Sequence, residues 1–424
     1  MGKRGWAQNR VGMQSGAEAK QAKARSSTGR NRATECSERA TESIASMDFA
    51  SLLSTYDGAA AAPAPAPARI PKKNKESRLS RDERRLRDAL EQGAQQALSD
   101  AKRAVADRPP KKRIAVCFTI VDGLPHERCW RRWAAELEKR DVDVRFYAHA
   151  HRREKAQRSS AWLAERMIRD HYETRWGSIE LVRATLALLD DALRDDPALV
   201  AFASETCVPI DVDAAAALVS KPTTYLQCTC RPDNGYARER QWEKVDRVIE
   251  AAKVCKADQW VSLSATHARA CAALDACVRR AARSQGARDA PSLWRLLRRC
   301  TAADELLFPV SLALMGELRK PGGASMPGTA RLAPERSADI EDKRLTYCDW
   351  SRGGTSPKTF DALTADVVRA ARGAGCLFAR KVAAAVDEAT WAALVLPAKR
   401  GRDDDDGEDS SPKRARGDGA PAAE

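Results

Sequence analysis

LTYCDWSRGGTSPKTFDALTADVVRAARGAGCLFARK, from Leu345 to Lys381, is the stretch against which the rest of the chain is read. Leu345, Tyr347 and Asp349 alternate with Thr346, Cys348 and Trp350, the period of a strand. Ser351-Arg352-Gly353-Gly354 breaks it. Ser356 then predicts a helix cap with Pro357 at the first helical position, where a missing N–H costs nothing. Phe360, Leu363, Val367 and Val368 give that helix an apolar face, and Gly373 and Gly375 end it. Cys376-Leu377-Phe378-Ala379 is a buried strand from which Arg380 and Lys381 emerge. Two fixed cations beside a glycine turn suit a phosphate-bearing ligand. By composition alone, a solvated strand end is the better reading.

Working outward, the same alternation of strand and helix recurs. Ile114 to Val121 is a continuous apolar run, as expected of a strand covered on both faces. A helix over 126–139 places Trp130, Trp133, Ala134 and Leu137 on one side, and Val142 to Ala148 forms the next strand. This βαβ start predicts a parallel sheet with a right-handed crossover. A helix over 178–194 leads to the buried strand Leu199 to Ala203, and helices are expected over 236–253, 265–282 (capped by Ser264) and 384–395. Buried strands alternating with amphipathic helices predict an α/β fold, a doubly wound, mostly parallel sheet with helices on both faces.

Composition sets the outer limits. The 424 residues carry 73 Lys and Arg against 59 Asp and Glu, a net charge of +14. Most of the excess lies before Ile114, so the basic character belongs to an arm more than to the body. Residues 1–75, ending in alternating Ala-Pro, are expected to be a disordered arm and linker, and 76–110 a charged helical stalk or peripheral helix. A folded domain over 111–397 and a disordered charged tail over 398–424 complete the division. The tail's Lys399-Arg400 and Lys413-Arg414-Ala415-Arg416 clusters read as a nuclear signal or as a solvated tail. No helix-turn-helix, zinc-finger or RNA-recognition signature accompanies the basic charge, so nucleic acid is not the expected partner. Twelve cysteines are sparse for a disulfide scaffold, and Cys228-Thr229-Cys230 has no matching pair for zinc. No apolar run reaches bilayer-spanning length.

Several residues invite a chemical reading. His149 and His151 share a strand end without a third metal ligand nearby, so a polar strand end is the simpler reading. Asp211-Val212-Asp213 spells a D-x-D metal clamp but opens an alanine-rich helix, where Asp211 serves as a cap. Asp141-Val142-Asp143 lies at the wrong end of its strand. Ser204 and Glu205 follow a buried strand, where open α/β sheets hold ligands. Thr301 with Asp304 approximates a capping box, which gives Asp304 and Glu305 a structural reading beside a catalytic one. Trp176, taken alone, reads as core.

Five blocks, IAVCFTI, WGSIELV, FASETCVPI, DQWVSLS with the following Asp304-Glu305, and DWSRGG with FARK, occur in an order that resembles the core-2/I-branching β-1,6-N-acetylglucosaminyltransferases. That family is glycosyltransferase family 14, and the likeness is to its plant and algal branch. The resemblance spans residues 113–395 and implies a GT-A-like fold and inverting transfer from a UDP-sugar, with N-acetylglucosamine the expected sugar and a glycan hydroxyl the acceptor. It implies Glu305 as the catalytic base, Lys381 assisted by Arg380 against the UDP leaving group, and no metal or other cofactor. His149, Trp176, Ser204 and Glu205 would line the donor pocket, and Trp350 and Asp304 would meet the acceptor. Ala257-Asp258 stands where the family has Gly-Ser, and the anchor that holds family members in the Golgi is missing from this sequence. Golgi residence is the expectation from resemblance, with a start codon further upstream. Nuclear residence, or a transferase-like binding module without activity, is the alternative.

Overall fold

The computed structural model describes residues 79–230, 245, 248–286, 292–298, 300, 302–319, 333–351 and 356–396. Both expected tails, most of the 236–253 helix, Thr301, residues 320–332 and the Gly353-Gly354 turn lie outside them. Helix α1 (Arg81–Asp107) opens on a reciprocal cap: the Glu83 N–H donates to the Ser80 hydroxyl at 3.1 Å and the Ser80 N–H to the Glu83 carboxylate at 2.9 Å. β1 (Lys111–Ile120), α2 (Glu127–Glu138) and β2 (Asp143–Ala150) form the expected βαβ start. Short helices α3 (Arg153–Ser159) and α4 (Ala161–Ala164) lead to α5 (Ile179–Leu193), β3 (Pro197–Ser204), β4 (Val208–Pro209), α6 (Val212–Ser220), β5 (Thr224–Tyr225) and β6 (Cys228–Cys230). There follow β7 (Cys255–Ala257), β8 (Ser262–Ser264), α7 (Ala265–Ser284), α8 (Leu293–Leu297), α9 (Asp304–Leu314), β9 (Leu318–Arg319), β10 (Glu335–Arg336) and β11 (Ile340–Glu341). β12 (Thr346–Cys348), α10 (Ala365–Gly373), β13 (Phe378–Arg380) and α11 (Glu388–Val395) complete the described chain.

The central sheet has six strands in the order β11-β5-β8-β3-β1-β2. β1 runs parallel to β2 and β3, and β11 to β5, while β8 alone is antiparallel to both neighbours. This is the mostly parallel α/β architecture expected of a GT-A-like fold. Alternation along the strands sends Ala115, Cys117, Val200 and Phe202 to one core with residues of α1, α5, α7 and α9. Val116, Phe118, Leu199 and Ala201 go to the other, with residues of α2, α6, α10 and α11. There Trp130 meets Phe118 and Phe378 edge-on at 5.0 and 4.8 Å, pairs worth about 0.5–1.5 kcal/mol each beyond burial. A smaller sheet, β12-β13-β4, is tied to the large one because β4 follows β3 after one turn.

Four local expectations need correction. The charged stretch is not a stalk: Leu90, Ala94 and Ala97 of α1 are fully buried, and the helix packs along α7. A Cβ on Gly93 would lie 2.6 Å from the Val278 backbone, so only glycine permits that approach. The helix before FARK starts at Ala365, capped by Thr364, not at Pro357. Phe360 is instead bridged to Val382 beside β13, an extended pairing that buries its ring and outweighs the Ser-Pro start signal. β7 and β8 are separated by a connection carrying Asp258 and Trp260. Finally, α9 begins at Asp304 after Ala303, which makes no side-chain cap, so Asp304 is the first helical residue and not the third. The last helix also starts later than expected, at Glu388, where the Thr390 N–H donates to Asp387 at 2.7 Å. Among the described residues no helix is long and apolar enough to cross a membrane.

Candidate active site

The parallel register aligns His149 of β2, Thr119 of β1 and Ser204 of β3 in one row at the carboxyl end of the sheet. Beyond this edge is where open α/β sheets bind ligands. The chain turns there through Glu205-Thr206 into β4, which pairs with β13, and the Val382 N–H donates to the Thr206 carbonyl at 2.9 Å. That pairing carries the two cations of FARK to the end of β3. Arg380 Nε donates to the Ser204 hydroxyl at 3.4 Å, and its guanidinium lies 4.8 Å from the centre of the Trp260 ring. Lys381 Nζ donates to Ser356 Oγ at 2.7 Å. Ser204, Glu205, Arg380 and Lys381 are thus brought together.

Their charges act on one another. Burial pushes the Glu205 carboxyl up, with the charges of Arg380 and Lys381 opposing and Asp122 adding to the rise. Burial pulls Lys381 down, and the neighbouring Arg380 charge adds to the effect. Two cations this close repel each other and are incompletely balanced by one half-buried carboxyl. A diphosphate would relieve both conditions.

The acid pair occupies the N-terminus of α9. Lys256 of β7 reaches Glu305, with Nζ 2.7 Å from Oε2. Burial pushes the Glu305 carboxyl up, Lys256 lowers it and Asp258 raises it further. Asp304 is only 7 % exposed, and its Oδ1 has no hydrogen-bond partner among the described residues. Burial first, and the Glu305 charge second, push its carboxyl up to about 7. A half-buried carboxylate of raised basicity, held by a lysine, can take a proton from a hydroxyl. The connection through Asp258 and Trp260 links this cluster to the cations, because Lys256 faces Glu305 and Trp260 faces Arg380.

The remaining sequence candidates stand apart. His149 is buried, accepts from the Tyr172 N–H at 3.0 Å, and stacks on His171 and Tyr172 at 5.5 and 6.0 Å. Burial, with the nearby His171 and Arg153 charges, lowers it to about 4, so it is neutral at physiological pH. Trp176 is not core: it is 74 % exposed. Trp350, 41 % exposed, follows β12 on the side of Arg380. Asp211 caps α6, accepting from the Ala214 N–H at 2.9 Å, and Asp213 pairs with Arg140 at 2.8 Å, so the D-x-D carboxylates are engaged in local structure. Asp143 pairs with Arg113 and Arg145.

Sequence reasoning passed over Lys256, Trp260 and Ser356. Trp260 sat inside a recognised block and was signalled only as an aromatic. Lys256 carries no local signal, since its meeting with Glu305 depends on β7 packing against α9. The Ser356-Pro357 pair predicts a helix cap, and the cap forms at Thr364 instead.

Comparison with known families bears on what this edge of the sheet is for. The family model described as Core-2/I-Branching enzyme matches residues 130–371, more than half of the chain; it covers the ends of β2 and β3 and the acid pair and stops before Arg380 and Lys381. No curated protein matches the chain. With the α/β architecture and the cation pair at the strand ends, the match is decisive: the chain belongs to the core-2/I-branching enzymes, glycosyltransferase family 14.

Proposed function

We propose that the protein is an inverting glycosyltransferase that moves a sugar, N-acetylglucosamine in our reading, from a UDP-sugar to a hydroxyl of a glycan. The observation that carries this reading is the placement of Arg380 and Lys381 against Ser204 and Glu205 at the carboxyl end of β3, in a member of a family of sugar-transferring enzymes. Glu305 takes the proton of the attacking hydroxyl as oxygen bonds to the anomeric carbon. The bond from that carbon to the diphosphate breaks on the opposite face, and the electron pair leaves with UDP. Arg380 and Lys381 offset the charge that grows there, the role that a divalent ion fills in other transferases. Lys256 must release Glu305 for this to happen, and an entering acceptor hydroxyl would compete for the same carboxylate. Trp350 and Asp304 lie on the acceptor side. In this reading no metal is needed, and the protein works in the Golgi lumen, where such acceptors are made.

The test is direct. The full chain is incubated with a panel of UDP-sugars, and UDP release is followed with and without an oligosaccharide acceptor. Release that depends on the acceptor and persists in EDTA supports the reading. No release with any donor would sink it, and activity lost to EDTA but restored by Mn²⁺ would remove the cation-pair mechanism.

A further inference from the structure

β2 is the last strand of the central sheet, so one of its sides faces away from β1. The His151 N–H just past the strand donates to the Ile120 carbonyl of β1 at 2.9 Å, which turns the odd-numbered backbone groups inward. The even-numbered groups therefore point outward. Ala148 uses both of its own, donating to the Arg166 carbonyl at 2.8 Å and accepting from the Ile168 N–H at 2.9 Å. Val144 and Phe146 point the same way and have no backbone partner on that side among the described residues. Along them runs a groove of about 850 Å³, walled by Val144, Phe146 and Trp162 and by Arg131, Ala135 and Glu138 of α2. A bare strand edge is a template for another strand.

The charge pattern says which strand fits. With a two-fold axis through Val144, an antiparallel copy of β2 sets Arg145 against the partner's Asp143, and Asp143 against the partner's Arg145. Val144 then exchanges two hydrogen bonds with its own counterpart. Within one chain Arg145 and Asp143 lie 3.1 Å apart and both are well exposed, so the pair can exchange partners at little cost. Moving the axis to Arg145 also keeps the outward groups in line, but it stacks Arg145 on its own copy. Like charges directly opposite are destabilising, so the first register wins.

α2 repeats the pattern independently. Arg131 and Glu138, both exposed, flank Ala134 and Ala135 on the side that lines the groove. About an axis between the alanines, Arg131 meets the partner's Glu138, and the small side chains let the helices approach. Among the described residues Glu138 has no ion pair of its own. The two axes nearly coincide. The Val142 N–H donates to the Leu137 carbonyl at 3.1 Å, which sets helix and strand level there. From that point Val144 lies about 6.6 Å along the strand and the alanine pair about 4 Å back along the antiparallel helix, a difference of about 3 Å. Val144 and Phe146 pack on the α2 side of the sheet, so Asp143 and Arg145 lie on the other. The edge is self-complementary on both faces.

We propose that the chain forms a two-fold dimer in which β2 pairs with β2 and α2 with α2, joining two six-stranded sheets into one. This does not rest on the transferase reading. An antiparallel junction puts the two candidate active sites at opposite ends of the joined sheet, so neither covers the other.

Sedimentation velocity of the full chain over a range of concentrations reads the dimer as a species of twice 46.4 kDa. Val144→Pro removes an outward N–H that β1 does not use, and should abolish the dimer while the circular dichroism spectrum stays that of wild type. Arg131→Glu or Glu138→Arg alone places like charges across the axis twice, and each should weaken association about tenfold. The two together restore opposite charges and should recover most of the loss. A chain that stays monomeric to about 100 μM overturns the proposal. Exchange of the Val144 and Phe146 amides then tells a bare edge from one taken by another segment of the same chain. A dimer indifferent to Val144→Pro or to the single reversals, or not restored by the pair, forms through another surface and overturns it as well.

Discussion

Helix α9 has a nearly buried carboxyl at each end, and the two have opposite fates. Asp304 opens the helix and is pushed up to about 7, while Glu317, just past its last turn and 5 % exposed, is held down to about 2. The helix dipole favours the reverse, since it stabilises anions at the N-terminus by about 0.3–1 kcal/mol. Neighbours therefore decide. Glu317 faces His267 first, then Ser337 and Lys102, whose Nζ lies 3.1 Å from Oε1. Asp304 faces the Glu305 carboxyl instead; Asp304 Oδ1 and Glu317 Oε2 both lack a hydrogen-bond partner among the described residues, so the surrounding charges and not the count of partners separate the two ends. One end is held by cations and the other is not, and in our proposal the second handles a proton. Native structures leave few buried polar atoms unpartnered, and those few call for an explanation.

The contrast can be broken in four ways, three losses of decreasing size and one gain. Glu305→Gln keeps the size of the side chain but cannot accept a proton, so transfer should fall by about 1000-fold. Single-turnover kinetics would check this, and an unchanged rate would return the acid pair to a purely structural role. Glu317→Gln should instead cost about 3 kcal/mol of stability at neutral pH, from a shift between 4.5 and about 2. The folded pKa lies below the unfolded one, so this stability is present above about 4.5 and is lost as pH falls toward 2. Urea unfolding across that window should show the gap between wild type and variant closing. A constant gap would mean that packing, and not charge, is responsible.

Gly93→Ala tests whether α1 holds Lys102 over Glu317. The added methyl meets the Val278 backbone at 2.6 Å, and the misfit should cost about 2 kcal/mol. Combined with Glu317→Gln, the loss should be less than additive, which a double-mutant cycle in urea would read. Asp304→Asn is the one change of opposite sign. With a folded pKa raised above its unfolded value of 3.8, Asp304 makes the protein lose stability as pH rises from about 4 to about 7. The amide should therefore raise the melting temperature at pH 8 relative to wild type and flatten its pH dependence. A lower melting temperature at pH 8 would assign Asp304 to the structural end of the comparison.

What was legible in the sequence followed local pattern. β1, α2, β2, α5 and β3 announced themselves by period and composition, because each buries a continuous face whatever surrounds it. The cap at Asp211 was equally local. The errors arose where a distant partner overruled a local signal. Ser356-Pro357 carries good helix-start chemistry, yet Phe360 pairs with Val382 and Ser356 meets Lys381. Trp176 looked like core because large aromatics usually are, and nothing in its neighbourhood says which way the ring turns. Glu305 could be named from its motif, whereas Lys256, which holds it, could not.

The contact between Gly93 and Val278 separates two boundaries that are easily equated. The residues recognised as the family begin at Trp130, whereas the folding unit begins with α1. A fragment cut at Lys111 would retain every matched residue and lose one wall of the core. It would bare the strip of α7 that carries Val278, Ala281 and Ala282. Such a fragment should gather into aggregates on expression, and a separate peptide of residues 79–108 should restore it to solution.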